Sequence, residues 1–402
     1  MPTCGPAGMP LLPGTGGKPV NDLTHDLGRG LAGTVVYQAV LAQDNGKWEG
    51  VHTAARTMAE QPAAAHPASA SLYRGAPAMA YALHTAGHRA YSSALDGLDD
   101  ALATLVTARL SDAHRRMDGG LPPRMQEYDL IGGLTGLGAY LLRRGTRPDL
   151  LDGVLHYLVQ LFQQPVTVHG EQVPGWWTAD SPSGQPDTAW PDGHGNFSTA
   201  HGVAGPIALL ALCARAGHTV QGQRETLEHA CSLLEEWSQR SPGGGAAWPE
   251  TVTLDRWLSG PRPLAHPGRP SWCYGTPGIA RALQLAALAC NRMGTQRHAE
   301  DILTSCAADS EQLARITDAT VCHGWAGLCL AVDRAAADTT PGSALSRLLP
   351  SLRSRFATHL AQQALPDAAG LLTGADGILL TLHTLNPARP VASGWETCLL
   401  LN

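Results

Sequence analysis

Two short stretches decide how this chain folds: Ser271-Trp272-Cys273-Tyr274-Gly275-Thr276-Pro277-Gly278 and, from residue 322, Cys322-His323-Gly324-Trp325-Ala326-Gly327. Each places a cysteine just ahead of a Gly-x-x-Gly step, and the second adds a histidine. The step recurs along the chain. Gly133-Leu134-Thr135-Gly136, Gly202-Val203-Ala204-Gly205 and Gly374-Ala375-Asp376-Gly377 repeat it, and Gly75-Ala76-Pro77-Ala78 repeats it with alanine for the second glycine. The first glycines of these six copies are spaced by 58, 69, 73, 49 and 50 residues. Such intervals suit one helical hairpin per copy, with insertions in the middle.

The residues between the steps support that unit. Ile207 to Leu212 is apolar nearly all round, as a helix buried between neighbours should be. Leu227, Ala230, Cys231, Leu234 and Trp237 instead form one stripe of an amphipathic helix, and Leu345, Leu348, Leu352, Phe356 and Leu360 form another, which Pro350 should kink. Each repeat therefore reads as an outer amphipathic helix, a glycine-rich turn and an inner buried helix. Glycine permits close backbone approach at the crowded start of the inner helix, and positive φ where it is needed. The expected fold is all-α: an α/α toroid of six hairpins in inner and outer rings, with all six turns at one end. A helical solenoid would show more uniform periods and distinct terminal caps.

Residues 1–19, rich in Gly and Pro, read as a disordered tail, and 20–402 as a single toroid domain. Insertions near 164–196 and 241–270 break the pattern. Val166-Thr167-Val168, Trp176-Trp177 and Val252-Thr253-Leu254, set among Pro and Gly, predict loops with short strands that wall the open end. With 15% charged residues, 44% hydrophobic and a net charge of −6, nothing here favours nucleic acid. Ten Trp against three Phe is an unusual aromatic balance. No apolar run or basic N-terminal signal marks a membrane or secreted protein, so the cytoplasm is the expected compartment. Nine cysteines, an odd number in a large chain, argue against a disulfide framework. Cys213, Cys231, Cys290 and Cys306 fall in apolar helical patterns as small buried residues.

Cys273, Cys322 and His323 come from neighbouring repeats. Two thiolates and one imidazole, with a fourth position left to water, have the form of a catalytic zinc site, and soft sulfur ligands select zinc over magnesium or calcium. His201 occupies in its repeat the place of His323, one residue before the first glycine, and is a general acid/base candidate. Asp129 could orient that imidazole or cap a helix. Arg269 could hold a carbonyl or carboxylate, and Tyr274 could offer a hydroxyl or pack against its turn. His194, His229 and His359 have no such register and read as surface or loop residues.

Taken in order, Tyr128-Asp129-Leu130-Ile131-Gly132-Gly133-Leu134-Thr135-Gly136, Asn196 to Gly205, Arg269 to Gly278 and Cys322 to Gly327 resemble the lanthionine synthetase C-like family, the cyclases of lanthipeptide biosynthesis. The resemblance covers about residues 70 to 380 and rests on four motifs in order. It implies a zinc-bearing α/α toroid with Cys273, Cys322 and His323 as ligands, and His201, Asp129, Arg269 and Tyr274 at active-site positions. It implies closure of thioether rings by adding peptide cysteine thiols to dehydroalanine or dehydrobutyrine of a dehydrated precursor peptide. A stand-alone cyclase is expected, with a separate dehydratase and an export transporter as partners in a membrane-bound complex. Ser198 stands where the family pattern has glycine, a departure that could alter the local turn. Three other readings follow from the same residues. One is addition of glutathione or another free thiol to dehydroamino acids in proteins. A second is a glycoside hydrolase, which needs two carboxylates where the turns offer Asp129 and Asp376. The third is a non-catalytic peptide scaffold with four-ligand zinc.

Overall fold

The computed structural model describes residues 23–240, 245–266, 268–387 and 393–402; the expected N-terminal tail lies outside them. The chain begins with α1 (Leu31–Asn45) and α2 (Glu49–Ala59), followed by α3 (Ala76–Ala86) and α4 (Ser92–Asp118). The single-turn α5 (Met125–Tyr128) leads to α6 (Leu134–Arg144) and α7 (Pro148–Gln163), then α8 (Ala204–Arg215) and α9 (Gln223–Trp237). After the short α10 (Leu254–Ser259) come α11 (Thr276–Ala289) and α12 (Met293–Ala308). After α13 (Ser310–Leu313) come α14 (Trp325–Ala337), α15 (Ala344–Gln362) and α16 (Ala375–Thr384).

Every one of the six glycine steps opens an inner helix. These helices pack in succession, α3 on α6, α8, α11, α14 and α16, and α1 packs against both α16 and α3 to close the ring. The fold is the expected α/α toroid with one addition. Among the described residues the inner ring has seven helices, and the seventh, α1, is opened by a further copy of the step, Gly30-Leu31-Ala32-Gly33. The inner helices are buried on nearly all sides; α8 buries every residue from Ala204 to Cys213. Outside them stand α2, α4, α7, α9, α12 and α15. The stripe of α9 is buried as its spacing requires, and α15 runs as one helix through Pro350 with Leu345, Leu352 and Phe356 buried. Cys213, Cys231, Cys290 and Cys306 are buried and free. No helix among the described residues is long and apolar enough to cross a membrane.

What gathers the turns is a chain of backbone hydrogen bonds around the rim. At five of the steps the N–H two residues before the first glycine donates to the carbonyl of the equivalent residue in the next repeat, and at Gly30 the donor is shifted by one residue, to Leu27. Ile131 donates to Ala200 (3.4 Å), Ala200 to Cys273 (3.2 Å) and Cys273 to Cys322 (3.1 Å). Cys322 donates in turn to Leu372 (2.9 Å) and Leu372 to Gly28 (2.8 Å), and Leu27 donates to Tyr73 (3.0 Å). Buried amides need partners, and here adjacent turns supply them to one another. The second glycine of every step but the Gly75 copy, which has Ala78, makes this packing possible. A Cβ on Gly278 would lie 2.1 Å from the Trp272 carbonyl oxygen, and one on Gly327 would lie 2.0 Å from that of Val321, six residues back in both cases. Close approach, rather than positive φ, is what selects glycine: of the first glycines only Gly75 has positive φ, at 72°.

The C-terminal segment fills the axis of the inner ring. Tyr73 and Tyr81 hydroxyls donate to the carbonyls of Cys398 and Trp395, both at 2.6 Å. Trp272 Nε1 donates to Leu399 O at 2.9 Å and Arg281 Nε to Leu401 O at 3.0 Å. Trp395 and residues 398–401 are fully buried.

The two insertions interlock. The first carries a hairpin, β1 (Val166–Val168) with β2 (Glu171–Val173), and then β3 (Gly195–Asn196). The second carries β4 (Gln239–Arg240), β5 (Ala246–Ala247) and β6 (Thr251–Val252), and β3 pairs antiparallel with β6. Tryptophans pin this wall to the outer ring: Trp257 stacks on Trp237 of α9 with centroids 5.1 Å apart, and meets Trp176 edge-on. The excess of Trp over Phe is concentrated here. His194 belongs to the same wall and corrects the surface assignment. It is fully buried, its Nδ1–H donates to Asp180 O at 2.8 Å, and burial pushes its pKa down to about 4.

Candidate active site

The rim places Cys273 and Cys322 side by side through their backbone hydrogen bond, and His323 follows directly. One ligand atom from each of Cys273, Cys322 and His323 lies within 4.8 Å of the other two. Cys273 is buried, while Cys322 and His323 are half-buried.

One turn back along the same rim, His201 Nδ1 and Asp129 Oδ2 are 2.7 Å apart. The other oxygen of Asp129 accepts the Gly132 N–H at 2.6 Å, so this carboxylate both holds the imidazole and fastens its own turn. The His201 ring lies beside that of Tyr274, with centroids 6.0 Å apart. Ser198 is buried and its hydroxyl accepts the His201 N–H at 3.0 Å. The serine thus ties the turn to the histidine without positive φ.

Residues 21–400 match the family model described as lanthionine synthetase C-like protein. The chain belongs to that family. It is 25% identical over 265 residues to the nisin biosynthesis protein NisC of Lactococcus lactis subsp. lactis, a match covering 64% of this chain and 60% of NisC. The aligned region is therefore less than two thirds of that relative's length. The solved structure of a nisin cyclase superposes with a TM-score of 0.74 at 21% identity, over 95% of this chain and 93% of the other, and shares its fold.

In this lanthionine synthetase C-like chain the electrostatics of the two halves differ. A hydrogen bond from Cys322 holds the Cys273 thiol well below the usual range against the cost of burial, and His323 helps. The same bond pushes Cys322 up. Two sulfurs, one already biased to thiolate, and an imidazole make a donor set that fits zinc. Among the described residues no fourth Cys, His, Asp or Glu joins the three. Burial disfavours a charged His201, but the hydrogen bond and charge of Asp129 outweigh it, with help from Cys273, and raise its pKa. Burial raises the Tyr274 phenol, so it stays protonated. Arg269 is half-buried and its charge is felt by both Cys322 and Glu250.

Several neighbours carry no local sequence signal. Glu250 brings a carboxylate raised by desolvation and by Cys273, against the pull of Arg269. Arg109 reaches in from the outer helix α4 and donates to Gly132 O and to the carbonyls of Pro67 and Ala70. Asp318 lies against His323. The other turn carboxylate, Asp376, is buried and accepts from Thr34 Oγ1 at 2.7 Å and Gly370 N at 2.8 Å, a joint between α1 and the last turn.

Proposed function

We propose that this protein is a zinc-dependent lanthipeptide cyclase. It would form (methyl)lanthionine rings by intramolecular addition of peptide cysteine thiols to dehydroalanine or dehydrobutyrine. The observation that carries this reading is the placing of a three-ligand Cys273–Cys322–His323 cluster beside the His201–Asp129 pair on one rim. Held by those three residues, zinc would supply a Lewis acid with a free position for the substrate's cysteine sulfur, lowering the thiol pKa from about 8.5.

The chain's own residues account for the rest. When the sulfur, its proton released to solvent, bonds to the β-carbon, the π electrons move to an enolate. Arg269 provides a donor for that developing charge. His201, with Nδ1 engaged by Asp129, has Nε2 left to deliver the proton to the α-carbon, and Asp129 raises its pKa, favouring the charged form. Tyr274, neutral and adjacent, is placed to share in that transfer. Asp376 is engaged by Thr34 and Gly370, so it is not the free carboxylate that the glycoside hydrolase reading needs beside Asp129.

The substrate on this reading is a dehydrated precursor peptide. A separate dehydratase, an export transporter and a cytoplasmic site within a membrane-bound complex follow by family resemblance. A dehydrated precursor incubated with the zinc-loaded protein should lose alkylatable cysteines without change of mass before alkylation. Cysteines that remain alkylatable would overturn the reading. A peptide that gains the mass of glutathione when glutathione is supplied, while its own cysteines stay alkylatable, would favour the free-thiol alternative.

A further inference from the structure

We propose that Asp318 is a positioning residue for the metal centre, selecting the tautomer of His323 that can bind zinc. This inference rests on the reading that Cys273, Cys322 and His323 hold the ion. Asp318 Oδ2 is 3.3 Å from His323 Nε2. A carboxylate facing Nε2 favours the proton on that nitrogen, which would leave the lone pair on Nδ1. That nitrogen is then the metal ligand. A charged acceptor behind the ring also raises the basicity of the ligand nitrogen and fixes the plane of the ring.

The carboxylate is itself held. Its other oxygen, Oδ1, accepts from Thr320 N at 2.8 Å and from Thr320 Oγ1 at 2.5 Å, within the turn that leads to the ligands. The first glycine of the step makes room for it: a Cβ on Gly324 would lie 2.4 Å from Asp318 Oδ1. Asp318 is thus wedged between the turn it caps and the imidazole it orients, with one oxygen for each.

That division of labour separates positioning from plain structure. In Asp318→Asn the amide oxygen can still serve Thr320, which directs the NH2 group toward His323. A donor there favours the other tautomer, with the proton on Nδ1, and opposes metal binding. Asp318→Ala removes both contacts.

The test is zinc titration of the metal-free proteins against a competing chromogenic chelator, with thermal melts of the same samples. Asp318→Asn should keep the melting temperature of the metal-free wild type and lose about ten- to a hundredfold in zinc affinity. Asp318→Ala should melt earlier and bind zinc no worse than the asparagine variant. A purely structural Asp318 gives the reverse order, with asparagine within about twofold of wild type, and would overturn the proposal. Should Asp318→Asn fail to fold, 15N NMR of histidine-labelled wild-type protein decides alone: His323 must show a protonated Nε2 and a zinc-bound Nδ1, and a zinc-bound Nε2 refutes it. Failure of the wild type to bind zinc would instead remove the metal reading on which the inference rests.

Discussion

The junction between the Cys273 and Cys322 turns and the junction between the Ile131 and Ala200 turns are built from the same backbone parts. In each, the amide two residues before a glycine step donates to its counterpart on the next turn, at 3.1 Å and 3.4 Å. Their side chains differ. The first junction carries two sulfurs and an imidazole; the second carries a buried carboxylate and an imidazole 2.7 Å apart. The backbone ring fixes where side chains meet, and the one to four residues ahead of each glycine fix what chemistry they can offer. On the proposed function, a metal half and a proton half lie side by side because they are successive segments of one rim.

Breaking the metal half should have the largest effect. Cys273→Ala and Cys322→Ala are expected to lose zinc and abolish ring formation, checked by metal analysis and by mass spectrometry after thiol alkylation. His201→Ala should separate the halves, keeping full zinc while cyclisation falls by about a hundred- to ten-thousandfold. Unchanged turnover would take His201 out of the mechanism.

Asp129→Asn sharpens the same division through pH. The raised pKa of His201 depends on Asp129, so the variant should keep zinc while the alkaline limb of its rate profile moves to lower pH. The stability of the His201–Asp129 pair is fully present below the ordinary imidazole pKa and is lost as pH rises through the raised value. The difference in melting temperature between wild type and Asp129→Asn should therefore shrink on going from pH 6 to alkaline conditions. A constant difference would contradict the pairing.

The glycine steps give a smaller contrast. A methyl at Gly278 would stand 2.1 Å from a carbonyl oxygen, against 2.6 Å at Gly205. Gly278→Ala should cost about 1–3 kcal/mol and Gly205→Ala less, measured by denaturant unfolding of the metal-free proteins. Equal costs would show that the two turns relax alike.

Much of this was legible in the sequence, for physical reasons. Close backbone packing admits only glycine, so the repeat that builds the ring is visible as punctuation, and the inner and outer helices differ in how far around their surface apolar residues extend. The seventh step, at Gly30, is not evident in the sequence because no stripe of apolar residues at helical spacing runs ahead of it. The rim hydrogen bonds leave no trace, since they join main-chain groups beneath residues as unlike as Ala200 and Leu372. His194 reads as a loop residue until β3 pairs with β6 and Trp257 stacks on Trp237, long-range contacts that bury it. Asp318 and Arg109 escape for a similar reason: one looks like a turn aspartate, the other like a solvated helix arginine. The four motifs, by contrast, carry their ligands and their acid–base pair within a few residues of a glycine, where register alone brings them to one rim.

The central claim is a zinc ion held by three protein ligands with its fourth position kept for the substrate's sulfur. A zinc-edge absorption spectrum, recorded with and without dehydrated precursor peptide, tests it directly. The account predicts two sulfurs, one imidazole nitrogen and one exchangeable oxygen in the free protein, with the oxygen replaced by a third sulfur when the peptide is added. Four protein ligands, or a spectrum that the peptide leaves unchanged, would contradict it.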